Sequence, residues 1–173
     1  MSDKVRDEVL RLGGDIIDSD RFAKARRVPH HYGRSIADHS IEAAEHAVRL
    51  VEWLKSQGVD ISEEDAVRAS LLHDIGMTVD EVFLSPSHRK AYSHPKEGAR
   101  IAREEFGAND IQVDAILYHM WPIGFIPPHN PEGWVVVAAD KSCSMNESWT
   151  VAKRLAHMPT AVLRGMFAKR KRP

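Results

Sequence analysis

His73 and Asp74 stand side by side in Ser70-Leu71-Leu72-His73-Asp74-Ile75-Gly76-Met77, at the end of an apolar run that reads as a core helix. An ionised carboxylate buried alone costs many kcal/mol, so such an aspartate is paired, protonated or bound to a metal. Candidate partners lie on other segments: His39 upstream, and His94, His119 and Asp140 downstream. Neutral imidazole suits divalent transition metals, while carboxylates add charge and can bridge two ions. Apart from Cys143 there is no cysteine to join them, which argues against a structural zinc finger. A metal held by these residue types points to hydrolysis by metal-activated water.

Helical periodicity dominates the segments that must position these groups, and alternating strand patterns are absent. The sequence predicts a short helix over residues 3–12 ended by Gly13-Gly14, then an irregular stretch over 15–37 rich in Arg and His. A long helix should run from an Asp38 cap to a Gly58 stop, and Ser62-Glu63-Glu64-Asp65 resembles a capping box for a helix reaching Ile75. Residues 76–93 read as a connection with a helical turn near 79–83. Pro95 suits the first turn of a helix ending at Phe106, and Asn109 or Asp110 starts another that ends near His119. A rigid loop with Pro122, Pro127, Pro128 and Pro131 then leads into a helix through about Glu147, with Pro159 as a later break.

On these helices the ligand candidates fall on inward stripes. His39 begins one with Ala43, His46, Ala47, Leu50 and Leu54; Asp74 shares another with Val67, Ser70 and Leu71, with His73 beside it. Asp140 lies with Val136, Ala139 and Cys143, and His119 follows Ile111, Ala115 and Ile116. No Arg or Lys shares these stripes, so the two inward carboxylates favour a metal. The remaining histidines, His30, His31, His46, His88, His129 and His157, read as packing or surface residues, His46 being the nearest to a supporting role.

At 173 residues the chain is the length of one ordinary domain. The reading is therefore a single-domain, all-α helical bundle over 1–173, with a core of about 35–147 and helical extensions at both ends. A net charge of −1 argues against a nucleic-acid partner. Only the tail Lys169-Arg170-Lys171-Arg172 is basic, and it reads as a solvated terminus. One cysteine, no signal-like N-terminus and no apolar run near the roughly 20 residues of a membrane span predict a cytoplasmic protein without membrane contact. The sequence sets no oligomeric state.

The pattern resembles the HD superfamily of metal-dependent phosphohydrolases, whose motif is a His, then His-Asp, then a distant Asp on a helical bundle. The matching residues are His39 in Asp38-His39-Ser40, His73-Asp74, and Asp140 in Val137-Ala138-Ala139-Asp140-Lys141. His94, in His94-Pro95-Lys96-Glu97-Gly98, and His119 resemble the two extra histidines of the family's binuclear branch, which includes HD-GYP phosphodiesterases and diadenosine-tetraphosphate hydrolases. Met77 stands where HD-GYP proteins have Lys, and Tyr118-His119-Met120-Trp121-Pro122 replaces their doubled His and Gly-Tyr-Pro, which argues against a cyclic-di-GMP substrate.

The resemblance implies one ion on His39, His73, Asp74 and Asp140, and a second on His94 and His119, bridged by Asp74. Iron, manganese, zinc, cobalt and nickel all suit such a set. His73 and Asp74 become the catalytic pair, and the substrate a small phosphorylated molecule such as a nucleotide; Lys141, next to Asp140, is either a phosphate contact or an exposed helix lysine. Lys24, Arg26, Arg27 and Arg34 are either a phosphate-attracting flap or ordinary surface charge. Trp121, Phe125 and Trp134 are either a base-stacking surface or core packing. A di-iron oxygenase and a non-catalytic nucleotide or metal sensor are the alternative functions.

Overall fold

The computed structural model describes residues 2–30 and 34–144. They form α1 (Ser2–Ile17), α2 (Asp20–Ala25), α3 (Ile36–Ser56), α4 (Glu63–Leu72), a 3-10 turn (Ile75–Thr78), α5 (Asp80–Phe83), α6 (Ser87–Phe106), α7 (Asp110–Tyr118) and α8 (Pro131–Ser144). Among the described residues the only extended pairing is an isolated bridge between Pro29 and Ser35. The buried helix α4 lies at the centre and touches α1, α3, α7 and α8; α6 packs on the 3-10 turn and on α7.

Local chemistry explains most helix starts. Ser35, not Asp38, caps α3: its hydroxyl accepts the Asp38 N–H, and Asp38 returns the bond to the cap backbone, so Asp38 sits one turn in. Ser62 caps α4 as expected, accepting from Asp65 N–H. Asn109 caps α7 through Gln112 N–H. Two buried polar anchors set the other helices against α4. Asp65 accepts from the side chains of Asn109 and Gln112, both at 2.7 Å, and buried Glu132 of α8 accepts the Ser62 N–H at 2.8 Å.

Several boundaries differ from expectation, each for a packing reason. Helix α1 does not stop at Gly13-Gly14 but kinks there and continues to Ile17. A Cβ on Gly13 would lie 2.2 Å from Leu71 Cδ1, so this glycine permits close approach to α4. The stretch 15–37 is not irregular throughout, because Ser19 caps the short α2 and Phe22 is fully buried beneath it. Helix α4 ends at Leu72, short of Ile75, with His73 as its C-cap. Helix α6 begins at Ser87, so Pro95 lies inside it and not in its first turn. Pro95 removes one ladder bond, yet the residues around it stay buried against the 3-10 turn. The expected end of α8 near Glu147, the break at Pro159 and the basic tail lie outside the described residues.

Candidate metal centre

All six expected ligand residues converge at the centre of the bundle. His39 comes from the start of α3, His73 and Asp74 from the end of α4, His94 from α6, His119 from the end of α7 and Asp140 from α8. His39, His73, Asp74, His94 and His119 are each at most 5% exposed. The approach of α6 depends on Gly76: a Cβ there would fall 2.2 Å from the His94 carbonyl oxygen and 2.6 Å from Gly98 N. Any larger residue would push α6, and His94 with it, away from Asp74.

Asp74 divides the cluster. Its Oδ2 lies 3.5 Å from His73 Nε2 and 3.8 Å from His39 Nε2. Oδ1 lies 3.2 Å from His94 Nε2 and 3.6 Å from His119 Nε2. On the Oδ2 side Asp140 Oδ1 adds contacts of 3.1 Å to His39 Nε2 and 3.7 Å to His73 Nε2. The trio His39, His73 and Asp140, and the trio Asp74, His94 and His119, each offer ligand atoms within 4.8 Å of one another.

The imidazole tautomers follow from the helix ends. His73 Nδ1 donates to the Ser70 carbonyl at 2.7 Å, His94 Nδ1 to the Lys90 carbonyl at 2.6 Å and His119 Nδ1 to the Ile116 carbonyl at 2.7 Å. A carbonyl only accepts, so Nδ1 carries the proton and the neutral ring turns a bare Nε2 lone pair to the centre. His94 Nε2 and His119 Nε2 then face each other at 3.0 Å, whereas His73 Nε2 lies 3.3 Å from His39 Nε2, which itself donates to Asp140 Oδ1. Two lone pairs at that separation repel unless a positive charge lies between or beside them. The donor chemistry therefore fits divalent metal ions, with the ring orientation fixed by carbonyls as metal-bound histidines usually have it.

Electrostatics agree. Burial opposes charge on the Asp74 and Asp140 carboxyls, but the surrounding imidazoles outweigh it and hold both below the usual carboxylate range. Burial likewise opposes the His73 imidazolium, and Asp74 and Asp140 overcome it, raising the ring to about 9. Burial prevails at His119, whose pKa is lowered.

Over these groups opens a cleft of about 520 Å³, lined by His30, Asp74, His94, His119, Asp140 and Lys141 among others. Lys141 Nζ donates to the His119 carbonyl at 3.4 Å, and burial lowers its pKa. His30 is a correction to the sequence reading: it is no packing residue but places Nε2 3.2 Å from Asp74 Oδ2. It lies on a connection with no periodicity, and only the adjacent His30-His31 pair, upstream of the His39 helix, could have drawn attention to it.

The other candidates fall elsewhere. His46 groups with Glu42 and Cys143, further along α3 and α8 and apart from the cleft. His129 is exposed and pairs with Asp114 at 2.6 Å. Lys24 pairs with Asp80, Arg34 with Glu42, and Arg26 stacks over Phe22, so these cations act as surface charge and not as a flap. Trp121 and Trp134 pack edge to face at 4.9 Å, while Phe125 is 82% exposed; none of the three lines the cleft. His31 and His157 lie outside the described residues.

Residues 36–145 match the family model of the HD domain. The chain belongs to the HD domain family. Among curated HD-containing relatives it is similar to Ribonuclease Y of Pseudothermotoga lettingae, 38% identical over 109 residues, which make up 63% of this chain and 18% of that protein. It is also similar to Ribonuclease Y of Lactobacillus acidophilus, 32% identical over 154 residues, 81% of this chain and 25% of that one. The HD chain thus spans a quarter or less of the relatives it matches. A solved structure of a conserved hypothetical protein from Pyrococcus furiosus has the same fold, with a TM-score of 0.52 at 21% identity, covering 79% of this chain and 92% of that one. The all-α HD fold expected from the sequence is borne out. No helix among the described residues is long and apolar enough to cross a membrane.

Proposed function

We propose that this HD protein is a phosphohydrolase, using two divalent ions held around Asp74 to cleave a nucleotide or related phosphoester. The observation that carries the reading is the facing of His94 Nε2 and His119 Nε2 at 3.0 Å while both Nδ1 atoms are committed to carbonyls. His39, His73, Asp74 and Asp140 would hold one ion and Asp74, His94 and His119 the other. When bound, such ions would acidify a water toward neutral pKa and offset charge on phosphoryl oxygens. Asp74 presents one carboxylate oxygen to each half and so would be the residue shared by the two ions. The carbonyl-bound Nδ1 atoms keep the rings of His73, His94 and His119 from turning. Lys141 stands beside the cleft with its ammonium available to a phosphate oxygen. The cleft volume falls within the roughly 300–1,000 Å³ of small-molecule sites.

The ribonuclease name of the relatives makes a phosphodiester in RNA the second substrate class, and a net charge of −1 is too weak a ground to exclude it. The test combines elemental analysis of the purified chain with hydrolysis assays on mononucleotides, dinucleotides, a nitrophenyl phosphoester and short RNA. Bound divalent metal with phosphate or nucleotide release supports the proposal, and preference for RNA over nucleotides selects the second class. Bound iron with oxygen uptake and no phosphate release would replace it with the oxygenase reading. Metal binding with no turnover across the panel would replace it with a sensor.

A further inference from the structure

His30 belongs to no helix and to no part of the motif, yet it reaches the centre. Its Nε2 lies 3.2 Å from Asp74 Oδ2, closer than His73 at 3.5 Å or His39 at 3.8 Å. The side chain is 9% exposed and forms part of the cleft wall. Its ring meets that of His39 edge to face, with centroids 4.4 Å apart. The backbone is pinned to the start of α3: His30 N–H donates to the Arg34 carbonyl at 2.7 Å, Pro29 bridges to Ser35, and Ile36 N–H donates to the Val28 carbonyl at 3.1 Å. The segment that carries His30 is thereby fixed to the helix that carries His39.

We infer that His30 is a further metal-ligating residue, joining His39 and Asp74 on the cleft side of the Oδ2 half. The inference rests on the two-ion reading above. His30, His39 and Asp74 form a third trio with ligand atoms within 4.8 Å of one another, the same closeness as the other two trios in the centre. A carboxylate oxygen has two lone pairs, whereas three imidazole nitrogens surround Oδ2. Only His30 lies within hydrogen-bond distance of that oxygen, and His39 Nε2 is nearer to Asp140 Oδ1, at 3.1 Å; a cation shared with Oδ2 would draw all three nitrogens to one point. Because His30 stands between the Oδ2 half and the open cleft, its coordination would also decide from which side an anionic substrate reaches that ion.

The competing role is a hydrogen bond that merely orients Asp74, and glutamine separates the two because it keeps a donor but supplies no imidazole nitrogen. The experiment titrates Co²⁺ into the metal-stripped full chain and into His30→Gln, His30→Ala and His94→Ala, reading affinity and the visible absorption of bound cobalt. Both His30 variants should weaken one class of site by at least about tenfold and change its absorption. His94→Ala should affect the other class, and far-UV circular dichroism should be the same for all. The inference is overturned if His30→Gln binds like wild type while His30→Ala does not, or if both bind like wild type. Wild type that binds no cobalt would overturn the two-ion reading itself, an outcome distinct from either.

Discussion

On the Oδ2 side of Asp74, α3, α4 and α8 deliver His39, His73 and a second carboxylate, Asp140; on the Oδ1 side, α6 and α7 deliver His94 and His119 with no carboxylate of their own. The halves differ in charge and in what holds them. Two carboxylates in one buried half attract a divalent ion far more strongly than one shared carboxylate does, since burial lowers the effective dielectric. The Oδ2 half is built on α4, the most central helix, whereas the Oδ1 half relies on the tight crossing of α6 over Gly76. The ions should therefore fill in order, the Oδ2 half first, and the Oδ1 half should be the one that structural change reaches most easily.

The largest effect should come from Asp74→Ala, which removes the oxygen of both halves. It should abolish stoichiometric metal binding and lower phosphoester turnover on the order of a thousandfold or more, the scale of losing an essential charge-stabilising group. A variant that keeps one tightly bound ion, measured by elemental analysis after dialysis, would mean the halves are independent and Asp74 is no bridge. Next in size are the half-specific changes. Asp140→Ala should erase the tighter of two binding isotherms, and His94→Ala only the weaker one, leaving one equivalent bound. The opposite assignment would reverse the order of the halves.

A smaller effect, on structure first, should follow Gly76→Ala. The new Cβ meets backbone atoms of α6, which cannot swing aside as a side chain would. Overpacking of this kind typically costs about 1–3 kcal/mol, readable as a lower midpoint in urea unfolding. Affinity should drop mainly in the Oδ1 half. Equal loss in both halves would show that α6 and α4 move as one unit, and the comparison would fail.

Legibility in the sequence follows the same division. The doublet His73-Asp74, with His39 and Asp140 on periodic helices, could be seen because helical spacing puts them on inward stripes, and the structure buries or half-buries each. His119 is legible in the same way, following Ile111, Ala115 and Ile116, whereas His94 rests on residue type and the family pattern, since Pro95 suggests a helix start where there is a helix interior. His30 was missed because its position depends on a backbone bridge between residues on either side of a short connection, and no side-chain periodicity encodes that. Gly13 looked like a terminator because a glycine required by a neighbouring helix and a glycine that ends its own helix are identical in sequence. The direction of each imidazole was equally hidden, being set by which carbonyl at a helix end lies within reach of Nδ1.

The smallest predicted change tests Lys141, a side chain that reaches from one half toward the other. Lys141 follows Asp140 on α8, yet its Nζ donates to the carbonyl of His119, a residue of the opposite half. That bond is long, at 3.4 Å, so its contribution to holding α7 is small and its ammonium can turn to a substrate oxygen. Lys141→Met keeps the buried stem and removes the charge. If Lys141 serves substrate, KM should rise about tenfold, as expected for one hydrogen bond to a charged group worth about 1.4 kcal/mol, while metal stoichiometry and both affinities stay as in wild type. If it serves instead as a strut between the halves, the weaker metal isotherm should shift and KM should not. Separate measurement of KM and of metal affinity in this one variant therefore decides whether the two halves are joined through Asp74 alone or through α8 as well.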